Sequence, residues 1–322
     1  MARSKKADKG ILKSPFTYFG GKSKVANVVW YAFGNIKNYV EPFAGSLAVL
    51  LHEPHNSKRT ETVNDLDCFI ANFWRALKED PEKVAFYSDN PVNEADYHAR
   101  HVWLVNKKKD FAERVMGDHE FFDSKVAGFW VWGNNIAIGI GNTWGIGNSA
   151  WNLDKEKRLV KVKKNGIGIS KQRPICSNIK KNKQTLEERI EYLLLLRDRI
   201  RTVNVCCGDW ERVCSPAIVQ QEDSSGVFLD PPYLDDLGNH CYNESDNVVA
   251  KDVFDWSIEN GNKNGVKVAY CGYEGQFNFP KNWECFKWIS GGGYELAADE
   301  KDRTGNRYRE RIWFSPNCNS VR

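Results

Sequence analysis

The sequence predicts an α/β protein built on a doubly wound, mainly parallel sheet of seven strands, interrupted by one large insertion. Three observations carry that prediction. Seven strand-like apolar runs are distributed along the 322 residues. Stretches with helical apolar spacing lie between several of them. The second and third runs are separated by residues 65–201, far more chain than a crossover helix needs.

The runs are Tyr39–Phe43, Glu61–Asn64, Thr202–Cys206, Val227–Asp230, Val266–Cys271, Trp283–Ile289 and Tyr308–Phe314. After the second run, Leu66, Ile70, Phe73, Trp74 and Leu77 recur at helical spacing. Before the third, Leu186, Ile190, Leu193, Leu194, Leu196 and Ile200 do the same over 185–200. Residues 13–85 and 202–322 are therefore expected to form one domain, with 86–201 an inserted module of helix and loop on the ligand side of the sheet. Residues 1–12 read as a disordered basic tail. Met1 to Gly10 lack the apolar stretch of a signal peptide.

Composition narrows the function. No run of about 18 apolar residues exists, so no membrane-spanning helix is expected. Nine cysteines, an odd number without a C-x-x-C pair, read as reduced thiols in a cytoplasmic protein rather than a disulfide framework or zinc site. Six scattered histidines add no metal-ligand spacing, so no metal is expected. Net charge is only +4, but it is segregated. Residues 1–24 hold seven Lys/Arg against one Asp, and residues 155–183 hold eleven against one Glu. Such patches suit a nucleic-acid partner, and equally a solvated lysine-rich loop.

Chemistry concentrates at the end of the fourth run, where Val227-Phe228-Leu229 gives way to Asp230-Pro231-Pro232-Tyr233. Open α/β sheets bind ligands at the carboxyl ends of their strands. Consecutive prolines hold the Pro231 carbonyl rigidly and offer no competing N–H. The Asp230 carboxylate and that carbonyl can accept the two hydrogens of an exocyclic amino group, and Tyr233 can offer a flat face to a base. The pattern fits methylation of a nucleobase amino group; the plainer reading is a strand ending in a proline-rich turn.

Two more pieces lie upstream. Glu41-Pro42-Phe43-Ala44-Gly45-Ser46 is a strand running into a tight glycine turn, where the backbone can approach a ligand closely. At the end of the next strand, Asp65 and Leu66 follow Asn64, and an acid there commonly meets ribose hydroxyls. Asp65 could equally be a helix N-cap. Two tempting phosphate loops fail. Gly133–Gly147 breaks the G-x-G-x-x-G register at Trp144, and Gly20-Gly21-Lys22-Ser23 has Phe16 where a Walker A loop needs Gly.

Taken in order, these segments resemble the Dam-like family of DNA adenine-N6 methyltransferases, particularly versions found in phages and mobile elements. The resemblance rests on Thr17-Tyr18-Phe19-Gly20-Gly21-Lys22, Glu41–Gly45, Asn64-Asp65, Gly208-Asp209-Trp210, Asp230–Tyr233 and the terminal Glu310–Phe314. It implies a Rossmann-like methyltransferase fold and S-adenosylmethionine as cofactor. Its implied substrate is double-stranded DNA methylated at adenine N6 after base flipping. It also implies a bacterial or phage-infected cytoplasm, often a restriction-modification setting, and an enzyme able to work as a monomer.

The same resemblance implies residue roles. Tyr18, Phe19, Gly20, Gly21 and Lys22 would close over the cofactor, with Lys22 near its carboxylate. Phe43, Ala44, Gly45 and Ser46 would form the turn beneath its methionine part, with Glu41 and Pro42 also among the cofactor-binding residues. Asp65, with Leu66, would take the ribose. Trp210 would lie against its adenine, with Asp209 also among the cofactor-binding residues. Asp230, Pro231, Pro232 and Tyr233 would form the catalytic set. Lys22 could instead be a solvated lysine and Trp210 a core residue. In this chain Leu47 stands where the family turn often has a second glycine, and the insertion does not match the GATC-reading segment of Dam.

The insertion falls where the family reads its target. Lys161, Lys163, Lys164, Lys171, Arg173, Lys180, Lys181 and Lys183 are expected phosphate contacts, setting affinity more than sequence choice. Trp130, Trp132 or Trp144 could fill the gap left by a flipped base, or form the insertion's core. The polar loop Leu234–Asn247 is expected to order on DNA. Rival readings are cytosine-N4, RNA-adenine or protein-glutamine methylation, and a DNA-binding module without catalysis. Asp230 counts against glutamine, where Asn is usual, and against cytosine N4, where Ser is more common.

Overall fold

The seven expected strands form one sheet. The computed structural model describes residues 12–16, 18, 21–54, 58–136, 151–153, 159–161, 185–233, 244–289 and 306–321. Its strands are β1 (Asn38–Glu41), β2 (Thr60–Asp65), β3 (Trp151–Leu153), β4 (Leu159–Lys161), β5 (Asn204–Cys207), β6 (Ser225–Leu229), β7 (Val266–Tyr273), β8 (Glu284–Lys287) and β9 (Glu310–Phe314). The main sheet has the order β5-β2-β1-β6-β7-β9-β8. The first five are parallel to their neighbours. The last strand of the chain, β9, inserts antiparallel between β7 and β8. β3 and β4 form a separate antiparallel pair.

Strand ends follow local chemistry. β1 stops at Glu41, two residues short of the expected Phe43, because Pro42 has no N–H for the ladder. β9 begins at Glu310 rather than Tyr308, since Asn306–Arg309 form a short helix. β6 is buried along its whole length, as a central parallel strand covered on both faces must be.

The helices are α1 (Ala26–Phe33), α2 (Cys68–Glu79), α3 (Pro81–Ser88), α4 (Glu94–Gly117), α5 (Ser124–Ile136), α6 (Leu186–Ile200), α7 (Pro216–Val219), α8 (Glu244–Asn260) and α9 (Asn306–Arg309). Asp67 caps α2 by accepting from the Phe69 N–H at 2.8 Å. Thr185 and Glu188 close a capping box on α6. α5 packs against α2 and α3, and α6 against α3. Gly128 permits the α3–α5 approach, since a Cβ there would lie 2.4 Å from Cβ of Tyr87. Arg199 of α6 reaches back to the sheet and grips both carboxylate oxygens of Glu61, at 2.7 and 2.8 Å.

The aromatic residues of α5 are core residues. Trp130 is 1% exposed and Trp132 is fully buried, so neither is available to fill the gap left by a flipped base. Trp130 instead packs edge-on to Phe16, 4.6 Å between ring centroids, in a cluster with Phe73 and Trp74. The Trp132 indole donates to the Asn90 carbonyl at 2.9 Å. Trp144 lies outside the described residues. The physical reason is amphipathic packing: α5 is apolar on nearly every side because it is enclosed by α2, α3 and α4.

The connectivity places a switch point at the centre of the sheet. From β1 the chain steps outward to β2 and then β5; from β6 it steps the other way to β7. β1 and β6 are the adjacent strands where direction reverses, so a crevice opens beyond their carboxyl ends. Both principal sequence motifs lie there. The N-terminal segment reaches the same place through Phe16, so Trp130 anchors it. Trp130→Ala should cost about 3–5 kcal/mol of stability, with the urea m-value unchanged. A loss below about 1 kcal/mol would show that the cluster does not hold the segment.

Candidate active site

Beyond β6, the Asp230 carboxylate is held from two directions. Its Oδ2 accepts from Lys22 Nζ at 2.8 Å, and its Oδ1 accepts from the Tyr233 hydroxyl at 2.9 Å. Lys22 is 3% exposed and its ammonium also lies 5.3 Å from the Tyr233 ring centroid. Burial works against that ammonium, but Asp230, with Glu310 nearby, outweighs burial and holds its pKa above the ordinary lysine value. Tyr233 is itself buried, edge-on to Tyr273 at 4.7 Å, and burial beside Asp230 pushes its hydroxyl well above the usual tyrosine range. Pro231 is buried and Pro232 half-buried.

Beyond β1, the turn after Pro42 is tight. Gly45 has φ +47°, and a Cβ there would lie 2.6 Å from the ring of Tyr18. The next left-handed residue is Leu47, at φ 57° and fully buried. Leu47 therefore keeps a glycine-like backbone, fixed by its N–H to the Ala44 carbonyl at 2.8 Å. Ser46 and Ala44 are also buried.

Beyond β2, two side chains join three loops. Asn64 donates to the carbonyls of Pro42 and Gly208, at 3.1 and 2.9 Å. Its Oδ1 is buried and has no hydrogen-bond partner among the described residues. Asp65 accepts from the N–H groups of Gly45 and Asp67, at 2.9 and 3.0 Å. The cap of α2 is Asp67, so Asp65 is turned toward the glycine turn instead. Burial raises the Asp65 carboxyl to about 6 despite these N–H donors. Leu66, beside it, is 75% exposed. Beyond β5, Asp209 caps the 3-10 turn Trp210–Arg212, and the Trp210 ring lies nearly parallel to Phe43, 6.4 Å between centroids.

The structure thus brings Tyr18, Gly21, Lys22, the Glu41–Ser46 turn, Asp65, Leu66, Asp209, Trp210 and Asp230–Tyr233 to one end of the sheet. Lys22 is not the solvated lysine of the alternative reading: it is buried, with its ammonium on Asp230. Phe19 and Gly20 lie outside the described residues, as do Lys163, Lys164, Lys171, Arg173, Lys180, Lys181, Lys183 and loop residues 234–243. Lys161 is described only as backbone at the end of β4. Asn64 and Tyr273 are site residues that the sequence does not mark; nothing in their sequence neighbourhoods signals those contacts. Among the described residues no cluster of three His, Cys, Asp or Glu could hold a metal, and no helix is long and apolar enough to cross a membrane.

Glu41 has a separate consequence. It is 2% exposed, and burial pushes its carboxyl up to about 8 against the opposing hydrogen bond from the Tyr39 hydroxyl. The folded state then keeps a proton that the unfolded chain releases near pH ~4.3. Its contribution is present below that pH and is lost as pH rises to about 8. Relative to Glu41→Gln, the wild-type protein should lose denaturant stability across this window and level off above it. A pH-independent difference would show no such shift.

Leu47 gives a second expectation. Leu47→Ala and Leu47→Gly should each cost about 2–5 kcal/mol through the cavity they leave. The glycine variant should match or exceed the alanine variant by up to about 1 kcal/mol in chemical denaturation, because alanine retains the strained φ. A glycine variant clearly weaker than alanine would mean the left-handed turn carries no strain.

No curated protein matches the chain. The family model of the D12 class N6 adenine-specific DNA methyltransferases matches residues 18–126, a third of the chain. That span carries Tyr18 to Lys22, the glycine turn and Asp65, and Asp230 follows beyond it on the adjoining strand β6. This match over part of the chain supports a likeness to the D12 class of N6 adenine-specific DNA methyltransferases, enzymes that methylate adenine in DNA.

Proposed function

We propose that this enzyme methylates adenine N6 at a specific sequence in double-stranded DNA, using S-adenosylmethionine, by flipping the base and transferring the methyl group directly. The observation that carries the reading is Asp230, held by Lys22 and Tyr233 at the switch point opposite the Gly45 turn. The residues fit the cofactor. Gly45 lets the Tyr18 ring close against the turn, Asn64 presents a buried acceptor without a partner among the described residues, and Asp65 retains lone pairs for ribose hydroxyls. Leu66, Phe43 and Trp210 offer apolar faces suited to an adenine ring. Bound there, S-adenosylmethionine supplies an electrophilic methyl group.

The chain's own residues prepare the acceptor. The Asp230 carboxylate and the Pro231 carbonyl accept from the amino hydrogens and stabilise positive charge where it develops on the nitrogen. Lys22 and Tyr233 fix the carboxylate in one orientation, so little reorganisation remains at the moment of reaction. Tyr233 also lines the side from which the base enters. No protein nucleophile is needed, which supports direct transfer. The basic segment from Lys161 to Lys183 would contact phosphates and set the salt dependence of binding. Residues 86–201 would then be the target-recognition region. Leu47 departs from the expected turn in residue type, but its glycine-like backbone supports an intact turn rather than an inactive module.

Mass spectrometry of nucleosides from plasmid DNA, incubated with protein and S-adenosylmethionine, tests the reading. N6-methyladenine should form with wild type and disappear with Asp230→Ala. Cofactor affinity should stay within about tenfold, since one charged hydrogen bond is worth about 1.5–3 kcal/mol. Asp230→Ala also strands a buried ammonium, so Asp230→Asn serves as the folded companion. Retained turnover in both variants would remove Asp230 from its role; methylated cytosine or RNA alone would replace the substrate.

A further inference from the structure

Two thiols flank the cofactor side of the site. Cys68 is the first residue of α2, directly after Asp65-Leu66-Asp67. Cys207 is the last residue of β5, directly before Gly208-Asp209-Trp210. Their sulfurs are 3.7 Å apart, and both residues are partly exposed. The five other described thiols, whether buried like Cys214 and Cys271 or more accessible like Cys206, Cys285 and Cys318, are all pushed up by burial. With Cys207 donating its S–H, the Cys68 thiol is pulled down to about 7, while Cys207 is raised. A partly exposed thiol of low pKa next to a resolving thiol is the arrangement that oxidises selectively.

We propose that Cys68 and Cys207 form an oxidisable dithiol whose closure to a disulfide weakens cofactor binding. The binding consequence rests on the cofactor reading above. The oxidant is a peroxide. The Cys68 thiolate attacks one peroxide oxygen, the O–O bond breaks, and hydroxide leaves with the electron pair, giving a sulfenic acid. The Cys207 sulfur then attacks the Cys68 sulfur; the S–OH bond breaks and the departing hydroxide takes the Cys207 proton as water. Two thiols lose two electrons, and one hydrogen peroxide becomes two waters. The sulfurs must close from 3.7 Å to the ~2.05 Å of a disulfide. That draws the start of α2 toward the end of β5 and shifts Leu66 and Trp210, which Asn64 and Asp65 otherwise hold in register.

The test uses the full chain treated with hydrogen peroxide, alkylated and mapped by peptide mass spectrometry. The expected result is a Cys68–Cys207 linked peptide that dithiothreitol reverses. By calorimetry, the linked protein should bind S-adenosylmethionine at least tenfold more weakly, while Cys207→Ser binds equally before and after peroxide. No linked peptide, or a linked protein with unchanged affinity, would overturn the proposal. Reduced protein that binds no S-adenosylmethionine would overturn the cofactor reading instead, and the peptide map would still decide whether the dithiol forms.

Discussion

An ammonium in a protein interior needs a carboxylate, and this site is organised by one such requirement. Lys22 is 3% exposed and its charge is met by Asp230, 208 positions later in the chain. Removing either partner of a buried pair leaves an uncompensated charge, at a cost of about 3–5 kcal/mol. The pair therefore ties the N-terminal segment to the end of β6. Phe16 does the same from the other side by entering the aromatic cluster of α2 and α5. Lys13 adds a further tie through both its N–H and its carbonyl to the Tyr192 hydroxyl on α6. The segment that carries Tyr18 is thus pinned between the sheet and helices α2, α5 and α6.

The second half of the site is joined by hydrogen bonds rather than charge. Asn64 and Asp65 lie side by side at the end of β2, yet they reach the loops after β1 and β5 on either side. Parallel strands pair with neighbours along their length, but their carboxyl-end loops have no ladder to hold them. Side chains from the middle strand supply what the ladder does not. A displacement of any one loop must then be felt by the other two. That coupling makes a covalent link between α2 and β5 consequential for residues it does not touch.

The sheet was legible because its evidence is local. Each strand is a short apolar run, and the seven observed strands overlap the seven expected ones; the errors sit at ends such as Pro42 and Arg309, where capping and turn chemistry decide. The motifs at the strand ends were legible for the same reason, since Asp230 to Tyr233 are consecutive. What sequence alone did not show is pairwise and distant. Lys22 meets Asp230, Cys68 meets Cys207, and Asn64 meets Gly208 through folding that no local pattern records. Trp130 and Trp132 could be read as core or as ligand wedges until the packing of α5 was known, because an enclosed helix and an aromatic-rich binding loop have similar compositions.

Leu47 shows how a left-handed turn can hold a residue other than glycine without changing shape. Glycine is favoured in a left-handed turn because L-residues pay roughly 1–2 kcal/mol there. A buried leucine side chain returns about 1.5–3 kcal/mol relative to exposure. At 57° and fully buried, Leu47 sets the first quantity against the second, and the balance is even or favourable. The turn can thus be kept by a leucine wherever the space beneath it is apolar and closed. Here Leu47 belongs to the same buried cluster as Val49, Leu50 and Leu51, which follow it in the chain. Gly45 has no such exchange open to it. The space its Cβ would need is taken by Tyr18, so the glycine that faces the N-terminal segment is fixed by contact, and the one that faces the core is not.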